Sequence, residues 1–472
     1  MAAATAANLV FDTSARDRIA AIPERLRRTF MTGRTRSYEW RLGQLKAIEK
    51  MLGENTPALQ KALAADLGKP AVEAMTADIG MPKGEAALAA KKLKAWMKPE
   101  RVPQPLVQRP GKSWLQRDPL GVVLIIAPWN YPVQLCFNPL VAAVAAGNCA
   151  VIKPSELTPA TSRLIADLVP KYLDQDCFEV VEGAVEETTL LLEQQFDHIL
   201  YTGNGRVARI VMEAAAKHLT PVTLELGGKS PTIVMPDANL DVAAHRIAWG
   251  KWTNAGQTCT APDYVLVHES VEKDLVEKLR GVIREFYGDN PRQSKDYPRI
   301  VSERHVDRLA GLIEDRGLVF AGGEFDRAER YFAPTVLRGV KKDAKVMQEE
   351  IFGPILPVLS VKNIDEAIAH VNANDKPLAL YLFTADRKLH ERVLDETSSG
   401  GVSINATLWH CANPNLPFGG VGPSGMGAYH GRWGYELLSH RKAVCEKPTS
   451  SDPKIAYPPY TKLKEWLVRN FA

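Results

Sequence analysis

Gly121-Val122-Val123-Leu124-Ile125-Ile126-Ala127 is an uninterrupted apolar run, followed at once by Pro128-Trp129-Asn130-Tyr131-Pro132. Successive strand side chains point to opposite faces, so a strand with one wet face alternates apolar and polar residues. A run without polar residues predicts a strand buried on both faces, as in a parallel sheet covered by helices. Outward from it, Pro132 to Ala146 reads as a helix and Cys149 to Ile152 as a short strand. Thr158-Pro159 opens another helix. Phe178 to Val181, His198 to Tyr201 and Pro221 to Leu224 are further strand candidates, with helical segments between them. Such alternation implies parallel strands joined by right-handed crossovers, an α/β fold.

The flanks read differently. Arg36 to Leu52 carries apolar residues at helical spacing. Thr56-Pro57 reads as an N-cap followed by proline at the first helical position, and Gly68 with Pro70 ends that segment. Lys98 to Pro119 is rich in proline and charge and has no helical period, which predicts a linker or extended arm. A second alternating region begins near Gly228 and runs to about Asn405; Phe418 to Gly427, FGGVGPSGMG, then introduces the C-terminal tail.

A chain of 472 residues is too long for one ordinary core and implies two or three domains. The apolar fraction of 45% and charged fraction of 24% are those of a soluble globular protein. A net charge of +4, with no dense basic block interleaved with aromatics, gives no case for nucleic acid. The cysteines at 136, 149, 177, 259, 411 and 445 form no CxxC or CxxH pair, so no metal site is expected. Their sparse use suggests reduced thiols in the cytoplasm. The opening MAAATAANLVFDTSARDR lacks a basic segment followed by an apolar core, and so does not read as a signal peptide. No apolar run approaches the roughly 20 residues of a membrane helix.

Several short stretches carry chemistry. Gly203-x-Gly205-x-x-Ala208 follows a predicted strand and opens a predicted helix, which fits the dinucleotide fingerprint; it also fits a plain glycine turn. That fingerprint wants an acid roughly 20 residues on for the ribose, and Glu225 stands there. Glu225 lies between Leu224 and Leu226 ahead of Gly227-Gly228, however, and a desolvated carboxyl there would serve as a general base. A carboxylate paired with a nearby Lys or Arg fits as well. Cys259, in Asn254-Ala255-Gly256-Gln257-Thr258-Cys259, suits a thiol displayed at a turn, although a single cysteine is more often an inert buried side chain. Asn130 lies just past the carboxyl end of a strand, where it could hold an oxyanion or cap the next helix. Lys153 and Glu156 also follow a strand end, and Glu350 and Phe352 place an acid and a ring close together.

PWNYP, KPSE, YTGN, LELGGK, GQTC and EEIFGP occur in this order and spacing in the aldehyde dehydrogenase superfamily, which the chain resembles over nearly its whole length. The resemblance looks closest to the class 3 branch of fatty, aromatic and coniferyl aldehyde dehydrogenases. It is carried by GRTR from Gly33, KHLTPVTLELGGKSP from Lys217, GQTCTAPDY from Gly256, QEEIFGP from Gln348, KPLALY from Lys376 and LPFGGVGPSGMG from Leu416. The resemblance implies NAD(P)-dependent oxidation of an aliphatic or aromatic aldehyde to its acid. Cys259 would attack the aldehyde, Asn130 and the Cys259 N–H would hold the oxyanion, and Glu225 would activate water against the thioester. Lys153 and Glu156 would bind the adenine-side ribose and Glu350 the nicotinamide ribose. Phe352 would lie near the ring, and Thr202, Gly203, Asn204 and Leu226 would line the NAD or NADP site. The fold implied is a Rossmann-like cofactor domain (1–103 and 121–227), an α/β catalytic domain (228–408) and a small bridging or oligomerisation element (104–120 and 409–472), assembled as a homodimer. Ala208 departs from the family pattern, which usually has glycine there; its methyl would meet the strand–helix contact or the cofactor. Trp129, Tyr131, Trp252 and Trp409 could line an apolar tunnel or form core. Two other readings stand beside this one: transfer of the acyl group to coenzyme A, and a non-catalytic scaffold on the same fold.

Overall fold

The computed structural model describes residues 13–105, 108–452 and 454–471. Residues 1–12, most of the stretch on which the signal-peptide reading rests, lie outside them. No helix among the described residues is long and apolar enough to cross a membrane.

The strand Val122–Ile126 is buried along its whole length and sits inside a six-stranded sheet. It pairs in parallel with Cys149–Lys153 on one side and His198–Thr202 on the other, so Leu124 faces both Val151 and Ile199. Phe178–Val180 and Val222–Glu225 extend the sheet outward, also in parallel. The chain thus leaves Val122–Ile126 in one direction and later returns to its other side. That reversal creates a crevice at the carboxyl ends of the strands, where open α/β sheets bind ligands. The helix Gln134–Ala146 is predominantly apolar and is buried from Leu135 onward, as its sequence requires. Gly425–Met426 adds an antiparallel edge to this sheet against Leu224 and Glu225.

A seven-stranded sheet follows, in the order Val319–Ala321, Thr335–Arg338, Ile355–Val361, Tyr264–His268, Pro231–Val234, Ala379–Phe383, Gly401–Ile404. All its pairings are parallel except the first. Each of the two large sheets has its own apolar core. Helix Leu240–Trp252 runs back from the carboxyl end of Pro231–Val234 and returns the chain to the amino end of the sheet just before Cys259.

The charged arm between Lys98 and Pro119 is more ordered than its sequence suggests. Glu100–Val102 and Lys112–Pro119 form an antiparallel sheet with Ser439–Glu446. Thr56 is the first helical residue of Thr56–Leu67 rather than its cap, and its hydroxyl turns back to the Leu52 carbonyl at 2.9 Å.

Candidate active site

Asn130, Lys153, Thr202 and Glu225 all lie at the carboxyl ends of strands of the first sheet. Cys259 and Glu350 lie on loops that precede strands of the second. Short contacts tie these two edges together. The Tyr131 hydroxyl and Thr258 Oγ1 are 2.7 Å apart, and Asn254 Nδ2 donates to the Asn130 carbonyl at 2.9 Å. A Cβ on Gly227 would fall 2.2 Å from the Glu350 carboxyl, so only glycine lets that acid lie against the backbone after Glu225.

The approach to Cys259 is a tight turn. Helix Leu240–Trp252 ends, and Asn254 and Ala255 then adopt left-handed φ of 52° and 51°. Gly256 follows at φ 73°, where a Cβ would collide with the Gly353 carbonyl at 2.2 Å. Non-glycine residues rarely adopt this conformation, and such strain concentrates at functional sites. Cys259 is partly buried and packs with Cys411 against Leu378, Phe418 and Tyr429. Burial first, and then the negative charge of Glu225, push its thiol well above the ordinary cysteine value. These surroundings disfavour the thiolate form.

Glu225 is only 1% exposed, and neither carboxyl oxygen has a hydrogen-bond partner. Burial, followed by the Glu350 charge, raises its carboxyl well above the usual range. Among the described residues no Lys or Arg side chain pairs with it, so the ion-pair reading of Glu225 does not hold there. Glu350 is raised to about 8, first by burial and then by Asp263, while the Gly228 N–H favours its ionised form. The loop bearing Glu350 is anchored by Lys229, which pairs with Asp263 and donates to the Glu349 carbonyl at 2.8 Å; Asp263 also accepts from Ile351 N at 2.9 Å.

Asn130 is 2% exposed, and its side-chain oxygen is without a partner. It does not cap the following helix: Asp78 accepts from Val133 N and Gln134 N at 3.1 and 3.2 Å. Lys69, Glu73, Asp78 and Asn254, all built into this site, have no signature in the sequence.

A nucleotide cofactor fits the same edge. Thr202 Oγ1 is buried without a partner, and beyond it Asn204 Oδ1 accepts from Val207 N at 3.0 Å to cap helix Gly205–Ala216. Lys153 is buried at its strand end, 3.9 Å from Glu156, and its amine is lowered by burial. Leu226 N donates to the Ser424 carbonyl at 3.1 Å, which fixes the turn after Glu225. Ala208 is 2% exposed and packs within the first core, so its methyl lies at the strand–helix contact. Phe352 stands at φ 45° and meets Trp129 edge-on at 5.3 Å, with His305 on the same ring. Of the aromatic residues considered for a tunnel, Trp252 is fully buried core and donates to the Pro354 carbonyl. Trp409 is 62% exposed and leans on Trp249.

Comparison with known proteins places this geometry. The profile of the family described as "Aldehyde dehydrogenase family" matches residues 10–444. The chain is 50% identical to aldehyde dehydrogenase family 3 member A2 of Rattus norvegicus, over 93% of this chain and 91% of that one. It is 47% identical to the rat aldehyde dehydrogenase described as dimeric and NADP-preferring, over 92% of this chain and 96% of that one. The solved substrate-bound state of Staphylococcus aureus AldH superposes with a TM-score of 0.93 at 45% identity, covering 98% of this chain and 100% of that one.

Proposed function

The chain belongs to the aldehyde dehydrogenase family and oxidises aldehydes with NAD or NADP, and from that premise we propose that Cys259, Glu225 and Asn130 carry the reaction. The observation that carries the assignment is Glu225: a buried carboxyl with both oxygens free, charge-coupled to the Cys259 thiol. Such a group takes a proton readily near neutral pH. Cys259 loses its proton to water, and its Sγ then bonds to the aldehyde carbon. The Asn130 amide and the Cys259 backbone N–H hold the oxyanion. The bound nicotinamide supplies the hydride acceptor that brings this carbon to the acyl level. Glu225 then takes a proton from water, which displaces Cys259 from the thioester and releases the acid.

Lys153 and Glu156 would hold the adenine-side ribose, Glu350 the nicotinamide ribose, and Thr202, Gly203, Asn204, Leu226 and Phe352 the walls between. The orphaned Thr202 hydroxyl and the glycine against Glu350 support this placement. Leu378, Phe418 and Tyr429 beside Cys259 support an apolar substrate, a medium- or long-chain aliphatic or an aromatic aldehyde. Among the described residues Ser439–Glu446 pairs with a strand on one side only, and Gly401–Ile404 borders its sheet. Free edges of that kind call for a cover, which supports a homodimer. Six free cysteines support a cytoplasmic setting.

Product analysis tests hydrolysis against acyl transfer. An aldehyde panel assayed with NAD and with NADP should yield free acid whether or not coenzyme A is present; formation of an acyl-CoA would overturn the role given to Glu225. Asn130→Ala should lower kcat by about 10²- to 10³-fold, the usual effect of deleting one oxyanion donor. Steady-state kinetics would check this, and a loss confined to aldehyde KM would count against the oxyanion role.

A further inference from the structure

We propose that Lys69 and Asn254 are positioning residues that fix the Asn130 peptide and thereby aim its side-chain amide at the oxyanion formed on Cys259. The proposal rests on the oxyanion role given to Asn130 above. The Asn130 carbonyl receives two donors from distant parts of the chain. Lys69 Nζ donates at 2.9 Å from just beyond helix Thr56–Leu67, and Asn254 Nδ2 donates at 2.9 Å from the turn before Cys259. With the peptide held, the backbone that carries the Asn130 side chain is held as well.

Each donor is itself clamped. Lys69 pairs with Asp78, both side chains are fully buried, and Asp78 also accepts from Val133 and Gln134. The Lys69 amine stands 4.2 Å from the centroid of the Tyr131 ring. Asn254 Nδ2 also donates to the Gln257 carbonyl at 3.0 Å, and its backbone N–H donates to Glu73 Oε2 at 2.9 Å. One side chain therefore bridges the loop of Asn130 and the loop of Cys259, and sets the spacing of the two proposed oxyanion donors. Asn254 holds a left-handed φ that asparagine tolerates better than most residues.

Stability alone does not explain this arrangement. A fully buried ion pair rarely outperforms apolar residues of the same volume, because desolvation offsets the attraction. A Lys–Asp pair spent on one backbone carbonyl and one helix start makes sense where geometry counts. Oxyanion donors must be held to about 0.5 Å, and a displacement of about 1 Å can lower a rate roughly 100-fold.

A double-mutant cycle on the full-length enzyme tests the proposal. Lys69→Met and Asn254→Gly are each made alone and in an Asn130→Ala background, and the rate of the pre-steady-state NADH burst is measured. Each variant alone is expected to slow the burst about tenfold or more, with NAD affinity by fluorescence unchanged. In the Asn130→Ala background neither should slow it further. An equal fractional loss in both backgrounds overturns the proposal, since that is the result of a general structural role. If Lys69→Met fails to fold, Asn254→Gly decides alone, because glycine suits the backbone there and leaves the Lys69–Asp78 pair intact. An Asn130→Ala enzyme with wild-type burst rate would instead overturn the oxyanion reading, and the proposal with it.

Discussion

Cys259→Ser is expected to lower kcat by at least about 10⁴-fold, the scale seen when a covalent nucleophile is removed, while cofactor binding and fold persist. Serine is nearly isosteric with cysteine, so Leu378, Phe418 and Tyr429 keep their contacts. What is lost is acidity: even a thiol raised by burial ionises far more readily than a hydroxyl in the same place. Cys411 packs against the same three residues but does not substitute. It stands instead on the short helix Trp409–Ala412, with its thiol 3.3 Å from His410 Nε2. Cys411→Ser should therefore keep most of the activity. Turnover of both variants, with dinucleotide binding followed by fluorescence, checks the pair. Cys259→Ser retaining a tenth of wild-type turnover would remove Cys259 from the role of nucleophile.

The strand leading to Asn130 was legible because burial on both faces leaves no polar residue between Val122 and Ile126. The ends of the other strands could be read the same way, and with them the edge that carries Lys153, Thr202 and Glu225. The arm Lys98–Pro119 was not, because its longer strand, Lys112–Pro119, finds its partner at Ser439–Glu446, more than 300 residues on; the first is mostly half-buried and the second largely exposed. An exposed strand needs no apolar pattern, so it leaves no period to read. Lys69 was opaque for a different reason. After Gly68 and before Pro70 it looks like the end of a helix, which it is, and only three-dimensional proximity turns it towards Asn130. The competing roles of Glu225 show the same limit. Spacing suited it to a ribose and its leucine neighbours to a desolvated base, and only the fold shows that both oxygens are buried without partners.

Glu225→Gln is expected to acylate and then stall, giving a burst of NADH close to one per active site and a steady rate lower by roughly 10²- to 10⁴-fold, the usual contribution of a general base. Glutamine keeps the shape and removes the proton acceptor. Only the ionised carboxyl acts as a base, and burial raises its pKa well above the ordinary value, so wild-type turnover should climb as pH rises towards that raised value. The variant should lose this acid limb. Stability should move in the opposite direction. The folded state holds the Glu225 proton more tightly than the unfolded chain, so the stability linked to that proton is complete below the ordinary carboxyl pKa. It is lost as pH rises through the raised one. Glu225→Gln should therefore melt higher than wild type at alkaline pH and about equally in acid. A ribose-binding Glu225 predicts something else: normal turnover at saturating cofactor, a raised cofactor KM and no burst. Burst amplitude and melting temperature across pH thus separate a base stored in an unfavourable environment from a carboxylate that merely holds a sugar.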